Sequence, residues 1–541
     1  MRSSIFTSVL RKPDNAFGAT ENTVFRFEEA ATAACDVRYE YRVGNESAKV
    51  IVYPSGAPIK FLKLRFRADM TAVETVYGDQ WERSSHGAFL EWRSVMASRA
   101  LAWFCFAKAG DKIACYGVKT GADCFAYWQI DPHGVTLFLN LCSGRQGVDL
   151  KGPLVACEVT ELFSNEGESA YSVAKRFSKM LCAKPVLPKE PIFGVNNWYW
   201  AYGNISKESV LLETDYLLKM CEGTVHRPYM IIDDGWQINR TYGPGAYIGG
   251  PWEANERFGS MADTADEIHK MGAKCGIWYR PLLTREKIPT EACLDDLNGG
   301  AILDPTHPYT LEQVCKDARK LREWGYDLIK HDFTTWDTMG VHPLTAERHT
   351  TVMVAEGRNF YDKTITTATA IKKLYKAIAE GANGAEVIAC NAIGHLAAGI
   401  HSVYRVGGDT SGRSFEWTRV NGVNSMMRLP LNDTLYRADP DCAAFTDRVD
   451  HSLNLDFLEM CAITGVTTLA SVTPDTLTTE EMKRINEIYK IADEDACRYE
   501  IENYHANANP EIFVSPDKKH RKEFNWESAY DGARSHLDWL N

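Results

Sequence analysis

Three short stretches of the 541-residue chain combine carboxylates with cations in a way that suits acid–base and nucleophilic chemistry. They read Ile231-Ile232-Asp233-Asp234-Gly235-Trp236, Leu328-Ile329-Lys330-His331-Asp332-Phe333 and Tyr404-Arg405-Val406-Gly407-Gly408-Asp409. Each opens on residues typical of a buried strand and closes on the charges, which places the carboxylates at strand ends. Carboxylates gathered in one cleft repel each other, so nearby cations are needed to keep one of them ionised. Lys330, two residues before Asp332 and thus on the same strand face, is such a cation, and Arg405 precedes Asp409 by four. An ionised carboxylate can act as a nucleophile, and a second one with a raised pKa can protonate a leaving oxygen. Two carboxyl groups in these roles are the machinery of glycoside hydrolysis, and their separation decides between retention and inversion. Singly, each stretch says little, because Asp-Asp-Gly is a common turn and a strand-end Asp often caps the next helix. Their recurrence at three strand ends carries the reading.

Such ends must converge on one mouth. From Phe193 the chain alternates short apolar strands with helices, and candidate strands fall at 193–200, 229–234, 274–279, 327–332, 386–391, 403–407, 434–437 and 467–471. Thr310 with Gln313 reads as a capping box for a helix with Leu311, Val314, Ala318 and Leu321 on its apolar face. Ile371, Leu374, Tyr375 and Ile378 stripe another, which Gly381 can terminate, and Thr478 with Glu481 boxes a third. Eight strand–helix units predict an α/β fold of the (β/α)8 barrel type, with its active site at the C-terminal strand ends. A doubly wound sheet is the alternative, but no Gly-rich phosphate loop follows the first strand.

The first third has a different rhythm. Val37, Tyr39, Tyr41 and Val43 alternate with Arg38, Glu40 and Arg42, and Leu62, Leu64 and Phe66 with Lys63, Arg65 and Arg67. This period of two predicts antiparallel strands in an N-terminal β-sandwich over 1–188, with Leu187-Pro188-Lys189-Glu190-Pro191 as linker. The barrel is expected over 189–494. A short, charged C-terminal extension over 495–541 has room for a hairpin or for a short helix at 529–540.

Composition bounds the partners. A net charge of −12 and a pI near 5.7 exclude nucleic acid and anionic membranes as expected partners. The N-terminus lacks an apolar signal region and no stretch approaches a membrane span, so a cytoplasmic protein is expected. Fifteen cysteines with no CxxC spacing, and no HExxH, argue against a Cys/His metal site and for buried, reduced thiols. Abundant Trp, Tyr and Phe suit the stacking faces of a small oligosaccharide or glycoside, and the composition is compatible with a homo-oligomer.

From Phe193 to about Asp493 the chain resembles the barrel of the clan D glycoside hydrolases, most closely glycoside hydrolase family 36, whose main members are α-galactosidases. The resemblance rests on Asn197-Trp198-Tyr199-Trp200, Asp233-Asp234-Gly235-Trp236, Gly276-Ile277-Trp278, Leu303-Asp304-Pro305 and Trp324-Gly325-Tyr326. It continues through Lys330-His331-Asp332-Phe333, Arg405-Val406-Gly407-Gly408-Asp409 and Ala438-Asp439-Pro440-Asp441. It implies that Asp332 is the nucleophile and Asp409 the acid/base of a retaining hydrolase of α-galactosides that needs no metal or organic cofactor. It also implies that Asp233 and Asp234 bind sugar hydroxyls, notably O4 and O6, that Lys330 and Arg405 bind ring hydroxyls, and that Trp198 walls the pocket. Trp236 and Trp278, within the shared motifs, are expected at the substrate as well.

The chain departs from the family pattern in its short C-terminus, in Asn391 near the sugar 2-position, and in Arg280 after the third strand. A guanidinium there either binds a polar or anionic substituent or balances Asp233, Asp234 and Asp332. Alternatives keep the machinery for another donor (α-N-acetylgalactosamine, β-L-arabinopyranose or α-glucose) or for transfer to a sugar acceptor. A non-catalytic carbohydrate binder is the reading from another class, and the presence of both catalytic Asp positions speaks against it. His331, between Lys330 and Asp332, is expected on the opposite strand face. Asp439 and Asp441 fit either a pocket floor or a turn, and 78–83 either a substrate wall or an ordinary strand–turn.

Overall fold

The computed structural model describes residues 5–27, 37–79, 81, 100–238, 249–297, 299–341, 353–506, 509–524 and 526. In the first third, alternation along Ile59–Arg67 buries Leu62, Leu64 and Phe66, and this strand pairs antiparallel with Asn15–Thr20 and Gly134–Asn140. Eleven antiparallel strands form one continuous hydrogen-bonded sheet, where the period-two pattern predicts the two separate sheets of a sandwich. The turning point is the strand Leu101–Ala109. Its first two residues pair with Phe125–Asp131, Phe104 onward pairs with Lys112–Val118, and Trp103 between them takes a left-handed φ of 48°. A strand that changes partners at a bend makes a corner. Val50 and Val52 of Ala48–Tyr53 therefore share one core with Leu64 and Phe66, although their strands are remote in pairing order.

The second sheet is parallel. Its strands are β1 (Phe193–Asn196), β2 (Tyr229–Ile232), β3 (Lys274–Tyr279), β4 (Leu328–His331), β5 (Glu386–Ala389), β6 (Val403–Arg405), β7 (Arg437–Asp439), β8 (Cys442–Phe445) and β9 (Thr468–Val472). They pair in the order β7-β6-β5-β4-β3-β2-β1-β9-β8. β7 and β8 thus lie at the two ends of the path while only Pro440 and Asp441 separate them in the chain. The expected strand 274–279 has those bounds. The one expected at 434–437 lies later, because Thr434 belongs to a tight loop, its hydroxyl bonded to the carbonyls of Pro430 and Leu431.

The two faces of this sheet bury different clusters. Ile231, Leu328, Ile388, Val403, Cys442, Ala444 and Leu469 pack together in a small core of their own. Ile232, Ile277, Ile329, Ala389, Ala443 and Ala470, offset by one residue, pack into the large core under the helices. Side chains two apart share a face, so Asp233, Lys330, Asp332 and Arg405 continue the small-core face at the strands' C-terminal ends.

Helices Pro308–Glu323, Thr367–Ala382 and Thr479–Glu494 are among those covering the other face. The first begins before Thr310, with Pro308 at its start and His307 as its cap. The second runs through Gly381 and ends at Asn383, whose φ is 42°. Gly381 serves packing instead, since a Cβ there would lie 2.2 Å from the Cys315 carbonyl oxygen on the neighbouring helix. The Thr478–Glu481 capping box forms. Beyond the last helix, Glu500–Ile501, Ile512–Val514 and Arg521–Glu523 make a three-stranded antiparallel sheet that delivers Phe513, Phe524 and Trp526 to the large core; 529–540 lies outside the described residues. No helix among the described residues is long and apolar enough to cross a membrane.

Candidate active site

At the end of β2, the Asp233 carboxylate accepts from Lys330 Nζ at 2.7 Å and from Asn196 Nδ2 at 2.8 Å, tying β1, β2 and β4 together. Burial disfavours the Lys330 ammonium, but Asp233 in particular outweighs this and holds its pKa well above the ordinary lysine value. Asp234 faces another partner, accepting from Gln237 Nε2 at 2.6 Å. The adjacent acids are therefore held apart by separate donors.

Asp332 follows β4 and is half-buried. The Trp278 indole N–H donates to its Oδ2 at 3.3 Å and the Phe333 amide to its Oδ1 at 2.7 Å, so both oxygens are oriented. Phe333 has a left-handed φ of 61° and leads into the short helix Thr334–Met339. Asn391 secures that helix from the end of β5. Its carbonyl accepts from the Thr335 amide at 3.1 Å and the Thr334 hydroxyl at 3.0 Å, and its Oδ1 accepts from the Trp336 amide at 3.3 Å.

Arg405 is fully buried, and its guanidinium reaches Asp441, the Tyr199 hydroxyl at 3.1 Å and Asp409 Oδ1 at 3.2 Å. Asp441 Oδ2 takes hydrogen bonds from Tyr199, from Arg405 and from the Thr410 amide. Burial pushes the Asp441 carboxyl up against the pull of Arg405 and Lys330, yet three donors aimed at one oxygen are the surroundings of a carboxylate. Asp409, with its side chain 58% exposed, is the open end of this network. The chain reaches it through Gly407, where a Cβ would lie 1.2 Å from Asn421 Oδ1.

Arg280 has a partner of its own. Its guanidinium forms a two-pronged pair with Asp337, at 2.8 and 2.5 Å, and lies 4.2 Å over the Phe333 ring. It thereby braces the turn after Asp332, a third role beside the two its position suggested. Trp236 is wholly buried, packs against Trp252 and Trp324, and donates its indole N–H to the Trp278 carbonyl at 2.9 Å. It supports Trp278 from behind. Trp198 is half-buried, edge-on to Tyr202 at 5.6 Å. His331 lies on the opposite strand face, buried against Tyr375 and His401. The N-terminal sheet reaches this region through Asp79, which is buried and pairs at 2.8 Å with Arg428, itself a donor to the Val406 carbonyl. Trp81 packs on Phe125; Gln80, Glu82 and Arg83 lie outside the described residues.

The strand ends thus bring these side chains into three hydrogen-bonded groups: Asp233, Asp234 and Lys330; Trp278 and Asp332; and Arg405 and Asp409. Tyr199, Asp337 and Asn196 join them without a spacing signal of their own, although Tyr199 lies inside a quoted motif. Asp441, which the sequence left open between pocket floor and turn, sits at the centre of the Arg405 group.

An antiparallel β-sheet domain followed by a parallel sheet has counterparts among solved structures. Solved structures locate the resemblance more closely. The α-galactosidase TtGalA of Thermus thermophilus, in complex with p-nitrophenyl α-D-galactopyranoside, aligns with a TM-score of 0.59 at 17% identity, over 90% of this chain and 99% of that one. The family 36 α-galactosidase AgaA of Geobacillus stearothermophilus aligns at 0.58 and 12%, over 94% and 80%. An α-galactosidase of Lactobacillus brevis aligns at 0.57 and 11%, over 95% and 78%. At these identities the likeness is one of fold. No protein-family model and no curated protein matches the sequence.

Proposed function

We propose that the chain is a retaining α-glycoside hydrolase that removes terminal α-galactosyl groups from oligosaccharides or simple glycosides. One observation carries this reading. A half-buried carboxylate, Asp332, is aimed by two N–H donors on the same sheet face that carries the Lys330–Asp233 pair and the arginine bound to exposed Asp409. The likeness to α-galactosidases, among them TtGalA with stachyose and an AgaA variant with raffinose, supports the same substrate class.

In this account Asp332 attacks the anomeric carbon while Asp409 protonates the leaving oxygen; Asp409 then activates water to release the sugar with retained configuration. The two donors on the Asp332 carboxylate orient its oxygens before attack. Exposure of Asp409 lets it exchange its proton with water between the two steps. Asp233 and Asp234, held by different partners, are suited to two hydroxyls, O4 and O6 of galactose, with Lys330 and Arg405 bordering the ring and Trp198 walling it. Trp278, Trp236, Arg280 and Asn391 act on the substrate through Asp332 and the turn that bears it.

The architecture belongs to the proposal. We read 437–445 as one bent seventh strand, β7 pairing with β6 and β8 with β9, so that the sheet closes as a (β/α)8 barrel around the small core. The barrel spans about 189–494, after a β domain over 1–188 and before a short extension over 495–541. The described cysteines are free and mostly buried, which supports a reducing compartment, the cytoplasm.

A panel of aryl α- and β-glycosides tests the function. A site built to bond a particular hydroxyl rejects analogues that leave its polar groups unpaired. The α-galactoside should exceed the α-glucoside by at least about 100-fold in kcat/KM. Equal or better use of the α-glucoside, or activity only on a 2-acetamido donor, would assign the machinery to another sugar.

A further inference from the structure

The opposite ends of the same parallel strands carry a second group of polar side chains. Cys275 is the second residue of β3, Asp327 immediately precedes β4, and His269 lies in the last turn of the helix Met261–Met271. His269 Nε2 is 2.8 Å from Asp327 Oδ2 and 3.4 Å from Cys275 Sγ, and all three donor atoms lie within 4.8 Å of one another. The Gly325 carbonyl oxygen lies 3.6 Å from the same sulfur. Among the described residues this is the one such gathering of His, Cys and carboxylate donors.

The geometry separates two chemistries. In a nucleophilic Cys–His–Asp relay the carboxylate holds one ring nitrogen and leaves the other for the thiol. Thiol and carboxylate both meet Nε2 of His269, so the group is not arranged as a relay. Convergence on one point is what a metal ion requires. Zinc bonds of about 2.0–2.3 Å in a tetrahedron give edges between ligand atoms of about 3.3–3.6 Å. The 3.4 and 3.6 Å separations match such edges. The 2.8 Å one is a hydrogen bond, and an ion would replace its proton by opening it about half an ångström. Thiolate, imidazole and carboxylate together select zinc-like ions over calcium or magnesium. The His269 and Asp327 side chains are 28% and 25% exposed, which gives an ion a route in, while Cys275 is buried behind them. Arg322 approaches the other Asp327 oxygen, Oδ1, at 3.7 Å, and the Cys275 amide donates to Oδ2 at 3.2 Å, which orients that oxygen toward the cluster. One thiolate and one carboxylate neutralise a divalent charge.

We propose that His269, Cys275 and Asp327, completed by the Gly325 carbonyl, bind one zinc-type divalent ion that pins the helix Met261–Met271 to β3 and β4. The three side chains are too dispersed along the sequence to form a spacing motif. Binding must expel the thiol proton, so affinity rises with pH. The site is independent of the glycosidase reading.

The full chain, washed with chelator and titrated with Co2+, should take up one equivalent. It should then show the visible bands of a tetrahedral site together with a sulfur-to-cobalt charge-transfer band, displaced by Zn2+. Cys275→Ser should abolish the charge-transfer band, and His269→Gln should weaken binding by at least about 100-fold. A wild-type protein without the charge-transfer band would overturn the proposal. So would an unchanged band in Cys275→Ser or, should that variant not fold, unchanged affinity in His269→Gln.

Discussion

At the scale of single residues, Asp441 decides how Arg405 acts on Asp409. The guanidinium lies 3.2 Å from Asp409 and, alone, would hold that carboxyl ionised. In the proposed mechanism the acid Asp409 needs its proton, so the charge of Arg405 has to be spent elsewhere, and Asp441 takes it up with the Tyr199 hydroxyl as a further acceptor. Asp439, Lys330 and Cys390 complete the charged and titratable surroundings of this network. Asp441→Asn leaves Arg405 free to pair with Asp409 and lowers the pKa of the acid. The alkaline limb of the pH–kcat/KM profile should move to lower pH, with the largest rate loss on substrates whose leaving groups need protonation. A profile unchanged in position would remove Asp441 from this role.

At the scale of elements, the sequence exposed the strands but not all of their partners. Lys274–Tyr279 was legible because its apolar run continues through Gly276 to Ile277, Trp278 and Tyr279. β8 was not, since Asp439-Pro440-Asp441 reads as a break, whereas the chain bends there and resumes pairing on the other side. The carboxylates and cations of the site were legible from type and strand-end position. The assignments of Arg280 to Asp337 and of Asn391 to the helix after Asp332 were not, because both partners are set by contacts between neighbouring strands and helices. Gly381 shows the same limit: it terminates a helix by propensity but serves a helix–helix contact in space. Gly381→Ala gains helix propensity of about 1 kcal/mol, yet its methyl meets the Cys315 carbonyl. The variant should lose about 1–3 kcal/mol of stability in urea unfolding. A neutral or stabilised variant would show that the two helices can separate without cost.

At the scale of the molecule, buried titratable groups set the pH range of the fold. His395, His401 and His505 are buried with pKa values pushed down by burial to about 3, and His331 is pushed well below its ordinary value. His395 lies among Trp81, Trp103 and Phe125, and His505 is stacked between Tyr77 and Tyr504. Below about pH 6.5 the unfolded chain binds protons that these native histidines refuse, so stability falls with pH from there toward about pH 3. Burial acts in the opposite sense on Glu213, raised to about 8, and Asp317, raised to about 7, which favour the folded state as pH falls through neutrality. Carboxylates held below their ordinary range, such as Glu168 under its hydrogen bonds from Arg176, add to the histidines, so unfolding midpoints should peak near neutral pH and decline on the acid side. His505→Phe should flatten the acid slope by up to about 1.4 kcal/mol per pH unit. An acid slope unchanged in that variant would place the titrating groups elsewhere.

The central claim, that Asp332 is the nucleophile of a retaining α-galactosidase, is tested most directly by rescue. Asp332→Ala should lower turnover of p-nitrophenyl α-galactoside by several orders of magnitude, and added azide should restore it, yielding β-galactosyl azide. Near-normal hydrolysis by the variant, or a restored product of α configuration, would contradict the account.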